Sequence, residues 1–235
     1  KPAGGAAAEM PLTAGFWDAA QKSIAASERH SFLTAMVDGS LAMEKFRFYV
    51  EQDALYLQDF AACLDLLAGH DGVSDADAAL LRLSARGCAA AESGLHDSFL
   101  SKWGVERVAA AAPSTLMYTS YMLRVCATRP HAEGLAALLP CFWVYMHVGK
   151  QMLRRREELP EGLARPAEFD RWIDMYAGEG FEAAVLGYRR LVEEAAGAAD
   201  KQTLAAMTSH FVRACELEWM FWTAAENLDV WPSFY

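Results

Sequence analysis

The sequence contains no run of about 18 uncharged apolar residues, so no membrane-spanning helix is expected. Its longest candidate, 134–150, is interrupted by Pro140 and His147 and reads as a buried core helix. Positive charge is also scarce: 21 Lys and Arg stand against 31 Asp and Glu, a formal charge of −10. A surface of that sign repels phosphate backbones and anionic lipid, which argues against a nucleic-acid or membrane partner. The five cysteines are odd in number and form no C-x-x-C pair. That argues against a disulfide framework and a structural zinc site, and fits a reducing cytoplasm. None of the six histidines forms H-x-x-x-H or E-x-x-H, so a helical metal site has no support. There is no Gly-rich phosphate loop and no Ser-centred elbow. Strands alternating with helices are missing too, which excludes a parallel α/β sheet. No basic stretch followed by an apolar run opens the chain, so no secretory signal is expected. The chain opens on Lys1, and its native start is expected upstream.

What remains is apolar and aromatic. Hydrophobic residues make up 54% of 235 positions, with 7 Trp, 8 Tyr and 12 Phe. That is enough to offset chain entropy over most of the length. The Ala- and Gly-rich opening reads as a flexible tail over 1–12, and 13–235 reads as one all-α domain, a helical bundle of roughly seven to nine helices. Between Met43 and Ala68, apolar residues recur at helical spacing. Ser74 is a fitting N-cap for a helix running towards Leu100, and Pro113 opens another that ends near Thr128. Further helices are expected over about 132–156, 170–177, 180–196 and 200–227.

Three helical clusters place reactive groups among aromatics. Tyr49, Asp53 and Tyr56 share one face at i,i+4 and i,i+3 spacing, with Gln52 beside them. Cys141 and Tyr145 share a face just after Pro140, a residue that removes a helical hydrogen bond and re-aims the turn beyond it. Glu218 stands one turn from Cys215, Phe221 and Trp222. Each cluster has a plain alternative. Asp53 and Glu218 can be ordinary helix-surface carboxylates, and Cys141 a small buried apolar residue. His147 is turned away from Cys141, and His30 fits a helix end. The run Arg154 to Arg156 complements the dipole at a helix C-terminus.

The order of these clusters resembles the thiaminase II family, known as TenA, of the haem-oxygenase-like fold. His30-Ser31-Phe32 with Asp38-Gly39-Ser40-Leu41 is similar to the family's opening H-P-F and D-G-T-L. Tyr49 to Leu57 resembles Y-x-x-Q-D-x-x-Y-L, and Tyr118-Thr119-Ser120 resembles Y-T-S. Leu138 to Tyr145 resembles L-L-P-C-x-W-x-Y. Trp172 to Tyr176 resembles W-I-x-x-Y, and Glu218 to Trp222 resembles E-x-x-F-W. The resemblance implies hydrolysis of a 4-amino-5-(substituted methyl)-2-methylpyrimidine, either aminomethyl-aminopyrimidine or thiamin, to the hydroxymethyl pyrimidine of thiamin salvage. It implies Cys141 as nucleophile and Glu218 as proton-transfer residue. It implies Asp53 as the group that binds the aminopyrimidine. Tyr49, Tyr118, Tyr145 and Tyr176 match pocket residues, with Tyr56 and Phe221 as ring walls. Such chemistry needs a nucleophile, an acid/base group and ring-orienting donors, and requires no metal or redox cofactor. Because the thiol lies among apolar residues, it needs a proton network; Tyr145, one turn away, is the local candidate.

The family further implies a homotetramer. Ser31 stands where proline is usual in the family, Leu55 where some members carry a second tyrosine and Glu226 where tyrosine is common, departures that leave substrate preference open. A non-catalytic aminopyrimidine-binding or regulatory protein on the same fold is the alternative. A haem or quinone oxygenase would need a pocket histidine, and none shares a face with the three clusters.

Overall fold

The computed structural model describes residues 10–95, 103–104, 110–160 and 162–233, in which every regular element is a helix. Three short helices come first: α1 (Leu12–Ala19), α2 (Gln21–Glu28) and α3 (Ser31–Asp38). The long α4 (Met43–Ala68) and α5 (Asp75–Leu95) follow, then α6 (Pro113–Thr128) and α7 (His131–Glu158). The last three are α8 (Ala167–Ala177), α9 (Glu179–Ala198) and α10 (Lys201–Asn227). Most of the expected tail, residues 1–9, lies outside the described residues, as does the stretch from 96 to Leu100 expected to extend α5. No helix among the described residues is long and apolar enough to cross a membrane.

Local signals set the helix ends. Asp200 accepts from the Thr203 amide at 2.7 Å, and Ser74 accepts from the Asp77 amide at 3.1 Å. Each satisfies an amide that the helix leaves without a carbonyl, at about 1 kcal/mol. His30 caps α3 through Nδ1, which accepts from the Phe32 amide at 3.2 Å. Helix α1 has no side-chain cap of its own. Glu193 of α9 supplies one by accepting from the Leu12 and Thr13 amides at 2.6 and 3.0 Å. Burial opposes the charge on Glu193, yet these amides hold its carboxyl below the usual range.

Helix α7 is the axis of the bundle. It packs on α8, α9, α10, α6, α3, α2 and α4. That explains why its stretch from Glu133 to Tyr145 is almost continuously buried rather than amphipathic. It runs through Pro140 without a break. A proline cannot donate to the carbonyl four residues back. Close to that turn, the Tyr188 hydroxyl donates to the Leu135 carbonyl at 3.1 Å. Two of the three consecutive arginines divide the work of holding neighbours. Arg155 donates to the Glu28 carbonyl at the end of α2, while Arg156 pairs with Asp170 and Asp174 of α8.

Glycine matters at two close approaches. A Cβ on Gly149 would lie 2.8 Å from the backbone carbon and Cβ of Tyr176, so only glycine lets α8 press this closely on α7. Gly39 ends α3 at φ 81° and leaves 2.7 Å between its would-be Cβ and the Ala164 carbonyl oxygen.

Candidate active site

The central helices α4, α6, α7 and α10, with α8, converge on one buried aromatic chamber. From α4 come Tyr49, Asp53 and Tyr56, all at most 3% exposed. Their face points inwards because the same stripe carries Phe46 and Phe60, and burying one such side chain contributes about 1.5–3 kcal/mol. Asp53 is therefore no surface carboxylate. Gln52 joins two helices: its Oε1 accepts from the Ala112 amide and the Thr115 hydroxyl, both at 2.8 Å. It thus caps α6 and fixes Tyr118 one turn further on.

Tyr118 donates to Glu218 Oε1 at 2.6 Å. Glu218 is 1% exposed, and its second oxygen has no hydrogen-bond partner of regular geometry among the described residues. Burial pushes its carboxyl up to about 8, opposed by the Tyr118 hydrogen bond and reinforced by the charge of Asp53. The Tyr145 hydroxyl also lies near enough to favour the charged form. Burial raises Asp53 itself to about 7. Two carboxyls that titrate near neutrality in one chamber are unusual in a purely structural core.

Cys141 differs from the other cluster members in keeping some accessible surface. Burial among apolar groups, followed by the charge of Glu218, raises its thiol well above the ordinary value. The Tyr56 hydroxyl opposes this, lying near enough to the sulfur to favour its charged form. In the unliganded protein that hydroxyl donates to Met122 Sδ at 3.5 Å. The thiol's partner is thus Tyr56 from α4, not Tyr145. Tyr145 instead receives a hydrogen bond from Tyr49 at 3.4 Å, and Tyr49 receives one from Trp172 Nε1 at 3.3 Å. A line of donors therefore runs from α8 to the Tyr145 hydroxyl, which lies beside the Glu218 carboxyl. Trp172 is the member of this line that the motifs do not assign to the site. Its i,i+4 spacing to Tyr176 is the signal in the sequence that could have found it.

The walls are rings. Phe221 sits 5.7 Å from Tyr49 and 5.6 Å from Tyr56, centroid to centroid. Tyr176 sits 4.9 Å from Tyr145 and 4.5 Å from Trp172. Aromatic faces with two carboxyls and a thiol suit a flat, nitrogen-rich, electron-poor ring. Among the described residues, no group of three or more His, Cys, Asp or Glu is placed to hold a metal ion.

Two surface cavities lie elsewhere. One of about 390 Å³ is lined by Asp71, Asp77, His131 and Glu194 among others, and one of about 550 Å³ by Arg129, Glu133 and His210 among others. None of the chamber residues lines either. His147 reaches Glu28 at 2.5 Å, away from Cys141.

Two of the departures from the family pattern meet. Ser31 donates to Glu226 Oε2 at 2.6 Å, at the N-terminus of α3. A carboxylate there complements the helix dipole. Proline at 31 could not donate, so the two departures are complementary. Leu55 is half-buried and off the face that carries Asp53.

An all-helical bundle that gathers a thiol, two perturbed carboxyls and aromatic walls at its centre belongs to the haem-oxygenase-like fold class. A domain from Shewanella denitrificans described as having a heme oxygenase-like fold superposes with a TM-score of 0.73, covering 94% of each chain at 13% identity. The chain belongs to the TENA/THI-4/PQQC family, whose model matches residues 17–228. It is 33% identical over 230 residues to the aminopyrimidine aminohydrolase of Halalkalibacterium halodurans, covering 94% of this chain and 98% of that one. It is also 33% identical over 229 residues to the thiamine biosynthesis multifunctional protein ThiED of Corynebacterium efficiens. That match covers 95% of this chain but only 29% of the longer protein.

Proposed function

We propose that this protein is an aminopyrimidine aminohydrolase of the thiaminase II type. It converts 4-amino-5-aminomethyl-2-methylpyrimidine to the 5-hydroxymethyl pyrimidine, with thiamin as a second substrate. The observation that carries this reading is the meeting of Cys141, Glu218 and Asp53 in one aromatic chamber of a chain one third identical to a named aminohydrolase.

Each residue has a part that its surroundings support. Asp53, charged, accepts from the aminopyrimidine and fixes the ring between Phe221 and Tyr56. Cys141 adds its sulfur to an electron-poor ring carbon while the thiol proton passes to the ring nitrogen that receives the electron pair, and the Tyr56 hydroxyl favours the negative charge that develops on sulfur. Glu218, protonated near neutral pH, gives its proton to the departing amine. Water then adds to the exocyclic methylene, Glu218 takes back a proton, and the thiolate leaves. The chamber supplies orientation and excludes bulk water, so that these steps proceed within one bound geometry.

Chromatographic detection of hydroxymethyl pyrimidine from the two substrates, assayed side by side, tests the reading. Product from the aminomethyl compound is expected, and Cys141→Ala is expected to lower turnover by about 10³-fold or more. Undiminished turnover in that variant overturns the nucleophile assignment. Ligand-dependent thermal stabilisation without product would instead favour a binding protein. We further assign the protein to the cytoplasm and to a homotetramer. Light scattering that gives only a monomer refutes the latter.

A further inference from the structure

Glu218 Oε2 and Trp222 Nε1, both on α10, are buried and have no hydrogen-bond partner of regular geometry among the described residues. Their residues are 1% and 0% exposed. Buried polar groups are nearly always satisfied, and each exception calls for an explanation. These two are complementary. The indole N–H can only donate, while an ionised carboxylate oxygen can only accept. Four residues apart on one helix, they belong to the same face, one turn from each other. Tyr145 borders both, with its ring 5.3 Å from the indole and its hydroxyl beside Glu218. A single small molecule that accepts from the N–H and donates to the carboxylate satisfies both atoms. Water does so. An ammonium cannot accept, and a carbonyl cannot donate.

We propose that Trp222 is a positioning residue that holds the hydrolytic water against Glu218. The inference rests on the aminohydrolase reading and adds a division of labour within it. In the first half-reaction Glu218 gives its proton to the departing amine and becomes a carboxylate. That charge is what lets Oε2 accept from water. In the second half-reaction the water oxygen forms a bond to the exocyclic methylene carbon, and one water proton passes to Oε2. The methylene π pair returns to the ring, which then expels the Cys141 thiolate and regains aromaticity. No oxidant or reductant is involved. Trp222 donates to a lone pair that is not attacking, and so fixes the direction of attack.

The test separates the two half-reactions. In Trp222→Phe, single-turnover release of ammonia from the aminomethyl pyrimidine stays within about twofold of wild type, whereas hydroxymethyl product forms about 10–100-fold more slowly. Quenched samples then show the pyrimidine adduct on Cys141 by intact mass. Added methanol competes better with water, raising the share of methoxymethyl product. Equal slowing of both half-reactions, or an unchanged product rate, overturns the proposal. So does a Ser27→Ala variant that reproduces the Trp222→Phe behaviour, because Ser27 Oγ is another unpartnered atom on a helix packed against α10. If Trp222→Phe fails to fold, a high-resolution crystal structure of the unmodified chain decides. An ordered water within hydrogen-bonding reach of both Nε1 and Oε2 is expected, and one shared with Ser27 instead overturns the assignment. A wild-type chain that releases no ammonia overturns the aminohydrolase reading itself.

Discussion

Helices α6 and α10 meet at two tyrosine-and-acid clusters about two turns apart along α10, the outer one drawing its acid from α7, and the two are built in opposite ways. At the inner cluster Tyr118 donates to Glu218, whose other oxygen is left without a partner of regular geometry and whose carboxyl rises to about 8. At the outer cluster Tyr121 meets His210 Nδ1 at 2.7 Å, and His210 Nε2 meets Glu133 of α7 at 2.9 Å. A carboxylate can only accept, so Nε2 carries a proton there, and in the neutral ring Nδ1 is left to accept from the Tyr121 hydroxyl. Both nitrogens of the ring have a partner. The outer cluster has spent its hydrogen-bonding capacity on joining three helices. The inner one keeps capacity in reserve at the cost of a buried, unpartnered oxygen. Similar groups on packed helices thus serve stability in one place and ligand chemistry in the other, and satisfaction of hydrogen bonds distinguishes them.

If that distinction holds, the largest effect comes from removing the reserve. Glu218→Gln is expected to lower kcat by about 10²–10⁴-fold, as loss of a proton-transfer group does. It should also stabilise the unliganded protein at alkaline pH. A carboxyl whose pKa is about 8 in the fold and 4.5 when unperturbed binds more protons folded than unfolded between those values. Its burial therefore costs nothing below about pH 4 and costs increasingly as pH rises towards 8, at about 1.4 kcal/mol per unit. The thermal midpoint of Glu218→Gln relative to wild type should climb from pH 5 to pH 9. A variant that is less stable at pH 9 would show Glu218 to be structural, like Glu133.

A smaller effect concerns Asp53. In the free protein the pair of carboxyls titrates at about 7 and about 8. With Asp53 needed charged and Glu218 needed protonated, kcat/KM should rise through about 7 and fall above about 8, a narrow bell that belongs to the pair. Asp53→Asn should lower kcat/KM by about 10–100-fold and remove the acid limb, which stopped-flow assays across pH 5–9 would show. An acid limb retained in that variant would transfer the lower value to another group.

Smaller again, Gly149→Ala should push Tyr176 and α8 away from the chamber, because the added methyl lands 2.8 Å from Tyr176. We expect a raised KM and a stability loss of about 1–3 kcal/mol from overpacking, read by calorimetry and steady-state kinetics. A raised KM with no stability loss would mean that α8 moves freely, contrary to its tight packing.

Much of this arrangement is legible in the sequence. The stripe from Phe46 to Leu64 forms α4 over the expected limits, because its apolar spacing matches the buried face. Asp53, Cys141 and Glu218 stand out along the chain as reactive groups among aromatics. Residue types alone leave each open to an inert role, and only the ordered motifs bring them into one site. The partner of Cys141 is not legible. Tyr145 is one turn away on the same helix, whereas Tyr56 approaches from α4, and periodicity within a helix says nothing about what a neighbour presents. Gln52 is hidden for the same reason, since its partners Ala112 and Thr115 lie about sixty residues on. The short helices α1 to α3 give little periodic signal in eight residues each, and α1 is held by an outside cap from Glu193. The pairing of Ser31 with Glu226 joins two departures that look unrelated along the chain.

The smallest functional effect, and the one that most directly tests the contrast, belongs to the outer cluster. His210→Ala removes two hydrogen bonds at once and leaves Glu133, which is 9% exposed, without its ring partner. Stranding a buried carboxylate costs about 1–3 kcal/mol, so the denaturant midpoint should fall measurably. Tyr121 keeps partial access to solvent and can bond to water, so its contribution to the loss is minor. The kcat of the folded fraction should stay within about twofold of wild type, since none of the chamber groups described above hydrogen-bonds to His210. His210→Gln, which keeps a donor and an acceptor, should recover part of the stability. A large fall in kcat with stability intact would mean that the outer cluster feeds protons inward along α10, and that full hydrogen bonding does not mark a group as structural in this fold.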